Sequence, residues 1–180
     1  KLIELNLDGS AFQKKTFDFM AKVLTKVRCL VKLSLNGCNF SNSDLRLITK
    51  TSITQLSIKD NPNAPLLDLL KTISKSKRFV SLDISNNQLG DEGYKILTEI
   101  VDTSPLTEVH FDGLLPSSIS SLRSILSSIE HSEISVCDFP FTDLHFLAFD
   151  KWDDDRQKIF AIGDDLHARF LHKLKAKQQI

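Results

Sequence analysis

Residues 79–90, Phe79-Val80-Ser81-Leu82-Asp83-Ile84-Ser85-Asn86-Asn87-Gln88-Leu89-Gly90, decide the fold. Apolar side chains stand at Phe79, Leu82 and Ile84, and an asparagine, Asn87, follows three positions after the last of them. Leu82 and Ile84 are two apart, so on a short strand they point to one side while Ser81, Asp83 and Ser85 point to the other. One side is core and one is open. An asparagine at the following turn can satisfy backbone groups as the chain leaves the strand.

Working outward, the same unit recurs as Leu2-x-x-Leu5-x-Leu7, Leu30-x-x-Leu33-x-Leu35, Ile53-x-x-Leu56-x-Ile58, Leu106-x-x-Val109-x-Phe111 and a weaker Ile134-x-x-Cys137-x-Phe139. The middle residues Leu5, Leu33, Leu56, Leu82, Val109 and Cys137 are spaced by 28, 23, 26, 27 and 28 residues, the period of a leucine-rich repeat. Cys38 and Asn61 share the turn position of Asn87, Ser10 is a weaker substitute and Leu114 breaks the rule. After each of the first five strands comes helical spacing: Phe17, Met20 and Leu24; Leu45 and Ile48; Leu66, Leu67, Leu70 and Ile73; Leu97 and Ile100; Leu122, Ile125, Leu126 and Ile129. Ser43 or Asp44, Asp91, and Ser117 or Ser118 are placed as N-caps. The short second repeat predicts a clipped helix. No unit of this size buries its apolar face alone, so the pattern predicts an α/β solenoid, a horseshoe with a parallel concave sheet and convex helices.

From Asp138 the period fails. Residues 1–140 are expected to hold about six repeats and 141–180 a C-terminal capping segment, irregular and aromatic over 142–152 (Phe146, Phe149, Trp152) and then helical through Ile159, Ile162, Leu166, Phe170 and Leu174. Asp153, Asp154 and Asp155 suit the start of that helix, Lys173, Lys175 and Lys177 its end, and Gly163 inside it marks a close contact or a bend. The repeat pattern is already running at Leu2 with nothing ahead of it, which predicts a fragment of a longer protein.

The chain of 180 residues carries 23 basic and 23 acidic side chains and 27 leucines, a composition that supports a packed core and excludes a disordered polar tail. The zero balance hides a dipole: residues 1–78 hold 14 basic against 6 acidic side chains, and residues 79–155 hold 3 against 15. Three cysteines without a CxxC pair argue against a disulfide framework or a zinc site and fit a reducing, intracellular compartment. The six glycines are scattered, and Gly90-Asp91-Glu92-Gly93 puts acid where a phosphate would need donors. No cofactor and no metal are expected. His167 and His172, five apart, do not share a helix face and read as surface residues. His110 between Glu108 and Asp112 is a group that can coordinate a cation or sense pH, against the plainer reading of a solvated strand face. The basic Lys14, Lys15, Lys22, Lys26 and Arg28 of the first helix suit anionic lipid or acidic protein; no nucleic-acid partner is expected, because no recognised module accompanies the charge.

The segments LDISNNQLGDEGYKIL (82–97) and LTEVHFDG (106–113), the atypical strand ISVCDFP (134–140) and a last helix with Arg156-Gln157-Lys158-Ile159 are similar to the closing repeats and cap of the CARMIL family, within the ribonuclease-inhibitor-like class of intracellular repeats. The resemblance covers roughly residues 53–175. It implies a horseshoe from a cytoplasmic or cortical regulator of actin-capping protein, set between a membrane-binding module and a dimerisation region, with a tail that binds capping protein. None of those other parts is in this chain. The expected function is a non-catalytic scaffold for a protein partner, with cytoskeletal proteins among the expected partners and any peripheral membrane association supplied by other domains. The alternatives are a tropomodulin-like actin-binding repeat domain and a Ran-type GTPase-activating repeat protein. The candidate binding surface is the concave face, named by alternation as Lys32, Asn36, Lys59, Asp83, Glu108, His110, Asp112 and Asp138. Its acidic later strands suit a basic partner segment, and reversing Glu108 and Asp112 is expected to leave the fold intact.

Overall fold

The computed structural model describes residues 1–40, 45–149, 151 and 153–178. The proposed cap at Ser43 or Asp44, and Trp152, lie outside the described residues.

Each apolar triplet forms a short strand: β1 Glu4–Asn6, β3 Lys32–Ser34, β5 Gln55–Ser57, β6 Ser81–Asp83, β7 Glu108–His110 and β8 Val136–Cys137. They make one parallel sheet of 6 strands in sequence order, β1-β3-β5-β6-β7-β8. The register aligns Leu5, Leu33, Leu56, Leu82, Val109 and Cys137 in a single row, so each repeat stacks on the last with no slip. That row packs inward: Leu33, Leu82 and Val109 are fully buried. Leu5, on the edge strand, is only half-buried.

The connections run on the other side, through α1 Lys14–Leu24, a 3-10 helix Leu45–Lys50, α2 Leu66–Ile73, α3 Gly90–Thr103 and α4 Ile119–His131. The short second repeat thus has no room for an α-helix and closes with the tighter 3-10 turn. Each helix buries its apolar stripe, Leu66, Leu69, Leu70 and Ile73 in α2 and Leu97 and Ile100 in α3, and each packs on the next. A second small pairing, β2 Ala11–Phe12 with β4 Asn39–Phe40, stacks Phe12 on Phe40 at 5.7 Å with Phe17 edge-on.

The turns after the strands repeat a backbone conformation. Gly9, Gly37, Asp60, Asn86 and Gly113, all two residues past the last apolar position, have positive φ between 58° and 82°. Only glycine, asparagine and aspartate adopt that conformation at low cost. At Gly113 a Cβ would also strike Asn86 Oδ1 in the preceding turn.

The N-cap expectations need correction. Asp91 does not cap α3: the helix starts at Gly90, and the Asp91 carboxylate accepts hydrogen bonds from Ser117 and Ser121 of the next repeat. Ser118 does precede α4 in an extended conformation, but its hydroxyl meets Ser120 and Ser121 rather than the backbone.

Residues 142–152 are not irregular throughout. Phe141–Ala148 form a helix, α5, which Pro140 leads into, and a helix of 26 residues, α6 Asp153–Gln178, follows. The Arg156 guanidinium closes the end of α5 by donating to the carbonyls of Ala148, Phe149 and Lys151. Gly163 marks a close approach, since a Cβ there would collide with Leu144. Arg169 pairs with Glu130 of α4 at 2.8 Å and Lys173 donates to Ser132 O. His167 is not a plain surface residue: its ring lies 4.7 Å from Phe139 and 4.9 Å from Phe141.

Candidate protein-binding face of the sheet

Strand alternation sends every other side chain out of the sheet, and parallel register arranges them in three rows. The first row runs Glu4, Lys32, Gln55, Ser81, Glu108 and Val136; the second runs Asn6, Ser34, Ser57, Asp83 and His110, with Asp138 beyond. Asp8, Asn36, Lys59, Ser85 and Asp112 follow as a third row where the strands run into their turns. Of the eight expected residues, Lys32, Asn36, Asp83, Glu108 and His110 line one depression of about 480 Å3 over this face. Lys59, Asp112 and Asp138 lie outside its lining.

The face has two chemically different ends. Toward β1 the polar groups satisfy one another. Asp8 accepts from Ser34 Oγ at 2.6 Å and from the Asn36 backbone N–H at 2.8 Å. Asn36 Oδ1 in turn accepts from Ser57 Oγ at 2.7 Å and from the Lys59 backbone N–H at 2.9 Å. Burial works against ionisation of Asp8, but these donors outweigh it and hold its carboxyl below the usual carboxylate range. Asn36 and Ser57 are therefore largely committed within the molecule, together with Asp8 and Ser34, which alternation also places on this face and which belong to the same network.

Toward β8 charge dominates. His110 Nδ1 lies 2.6 Å from Asp138 Oδ2, and its Nε2 lies 3.1 Å from Glu108 Oε1. Burial opposes protonation of His110, but Glu108 and Asp138, with Asp83 nearby, overcome it and raise the imidazole above its ordinary value. Burial likewise works against the Glu108 carboxylate, yet His110, then Ser81 and Lys32, hold it low. Both ring nitrogens are thus occupied by carboxylates, which leaves neither for a cation. Among the described residues no cluster of histidine, cysteine, aspartate and glutamate is arranged to hold a metal ion. Asp138 keeps 70% of its side chain exposed and Glu108 41%, so both still present negative charge outward.

Asp112 departs from expectation. Its carboxylate accepts from Thr142 Oγ1 at 2.6 Å and from the Asp143 N–H at 3.3 Å, which caps the start of α5 from the preceding repeat. Reversing Asp112 would strike the fold, so Glu108 and Asp138 are the sites where charge can be reversed without that loss.

Beneath this end lies a residue the sequence reading missed. Asp143 is fully buried and accepts from the backbone N–H groups of Gly113, Leu114 and Leu115 at 3.0, 3.2 and 2.6 Å and from Tyr94 Oη at 2.5 Å. Burial raises its carboxyl above the usual range against the pull of these donors, and burial with the nearby carboxylate pushes the Tyr94 phenol far up. Leu114 was the available signal: an apolar residue where the turn needs a polar one requires an acceptor from elsewhere.

No family model matches the chain, and no curated protein matches it. Among solved structures, the tropomodulin C-terminal domain of Caenorhabditis elegans aligns over 99% of this chain and 90% of that one, at 12% identity and a TM-score of 0.45.

Proposed function

We propose that this chain is a non-catalytic protein-interaction scaffold whose open sheet face takes an extended basic segment of a protein partner across β6, β7 and β8. The observation that carries the reading is the depression over the sheet together with the carboxylates of Asp83 on β6, Glu108 on β7 and Asp138 just past β8. Charge of this kind steers association and sets specificity more than it supplies raw affinity. The sequence resemblance over residues 53–175 supports placing the scaffold in a CARMIL-like regulator of actin-capping protein, acting in the cytoplasm at the cell cortex. In that reading the capping-protein activity itself belongs to regions other than these repeats.

Fluorescence anisotropy with a labelled, extended lysine-rich peptide tests the binding face. Binding should weaken with salt and be lost in the Glu108→Lys/Asp138→Lys double variant, with circular dichroism unchanged, while Lys32→Glu leaves it intact or stronger. Peptide binding that ignores these reversals would remove the open face as the site. Adding actin filaments in a sedimentation assay separates this reading from direct actin binding by the repeats, which would pellet the chain with the filaments.

A further inference from the structure

The outer side of α1 carries a feature that packing within the chain does not account for. The helix buries Phe17, Ala21 and Leu24 against the stack. Lys15, Phe19, Lys22 and Val23, with Lys26 in the turn that continues it, fall within an arc of about 100° on the other side at 3.6 residues per turn. The Lys26 N–H donates to Val23 O at 3.0 Å, so that turn is an extension of the helix. Phe19 is 71% exposed and Val23 43%. Phe19 projects away from the buried stripe, so a further repeat stacked beside α1 would not cover it. Lys15, Lys22 and Lys26 are exposed, and none of them is in an ion pair with a described residue. Asp18 is the acidic residue at the margin, and one of its carboxylate oxygens is buried and turned inward.

We propose that this side of α1 is a docking surface for an anionic membrane, with Phe19 entering the interface and Lys15, Lys22 and Lys26 meeting acidic headgroups. An exposed aromatic flanked by lysines is the composition of a helix that lies in the plane of a bilayer surface, where apolar burial and headgroup charge add. The basic excess of residues 1–78 supplies the long-range attraction. The contact is peripheral, as no described helix is long and apolar enough to cross a membrane. It leaves the opposite side of the repeat stack, the open sheet face, free for a protein partner, and it stands independently of that reading.

The test is cosedimentation of the chain with vesicles of phosphatidylcholine and phosphatidylserine against vesicles of phosphatidylcholine alone. The chain should pellet with the first and not the second. Lys15→Ala/Lys22→Ala/Lys26→Ala should lower partitioning roughly a hundredfold, and Phe19→Ser about tenfold, each with the parent's melting curve because all four side chains are exposed. Failure to pellet with anionic vesicles, equal pelleting with neutral ones, or indifference to the lysine substitutions would overturn the proposal. Binding to polyglutamate as tight as to vesicles and untouched by Phe19→Ser would assign the face to an acidic protein and overturn it as well.

Discussion

Turns inside the stack and the turn at its end are closed in opposite directions. At Cys38, Asn61 and Asn87 a side chain of the later repeat donates to the last apolar residue of the repeat before it: Cys38 Sγ to Leu7 O, Asn61 Nδ2 to Leu35 O, Asn87 Nδ2 to Ile58 O. Asn87 also accepts from the Asn61 N–H, so its amide gives and receives. At Leu114 the traffic reverses, and three backbone N–H groups of the earlier repeat donate to the Asp143 side chain. An amide suits an interior position because it carries both kinds of group, whereas a carboxylate only accepts. The difference shows how a repeat array changes its chemistry where it meets α5.

The largest expected effect follows from breaking the terminal link. Asp143→Ala leaves three N–H groups and the Tyr94 hydroxyl without their acceptor in the interior, and chemical denaturation should show a loss of about 4 kcal/mol. Tyr94→Phe should cost about 1–2 kcal/mol in the parent and almost nothing in the Asp143→Ala background, because the two share one bond. Equal costs in both backgrounds would separate Tyr94 from this network. Next, Asn87→Ala should cost about 2–3 kcal/mol, with the Asn61 N–H left unpaired. A melt like the parent's would show that the interior turns do not rely on the amide. Cys38→Ala, which removes only a weak thiol donor, should cost about 1 kcal/mol; an effect as large as that of Asn87→Ala would erase the gradation between the turns.

The smallest effect concerns the charged end of the sheet. His110 titrates above its ordinary value in the folded chain, so the stability it contributes is present below that ordinary value and is lost as pH rises through the raised one. His110→Gln should therefore lower stability by about 1 kcal/mol or less in mild acid, and the gap should close toward alkaline pH. A gap that widened with pH would mean the ring is neutral between Glu108 and Asp138.

The sequence showed the architecture because the information is local and repeated. The triplet from Phe79 to Ile84 and its relatives place the strands and their register, and alternation along them brings Lys32, Asn36, Asp83, Glu108 and His110 to one depression. The short second repeat also foretold a clipped helix. The helices after the last strand were harder to read. In the run Phe141-Thr142-Asp143-Leu144-His145-Phe146-Leu147-Ala148 apolar side chains fall on several sides of the helix, so the periodicity that marked α2 to α4 is absent. Asp143 meets Tyr94 across 49 residues of chain and Leu114 across 29, separations that no spacing rule reaches. Asp91 misled for a related reason: an acid before an apolar stripe resembles a cap, and only the folded chain brings Ser117 and Ser121 to it. Asp112 appeared free by alternation because its partners belong to the next repeat.

The two kinds of turn also set a grammar for how such a chain can lengthen or shorten. The repeat between Asn61 and Asn87 begins and ends on the same residue type, each donating to the same carbonyl of the unit before it. A copy inserted there would meet partners it already fits, and an excision would rejoin matching edges. The turn at Leu114 has no such freedom. Its acceptor lies in α5 and that acceptor's phenol partner in α3, so these bonds survive a rearrangement only where the stretch from Tyr94 to Asp143 moves as one word.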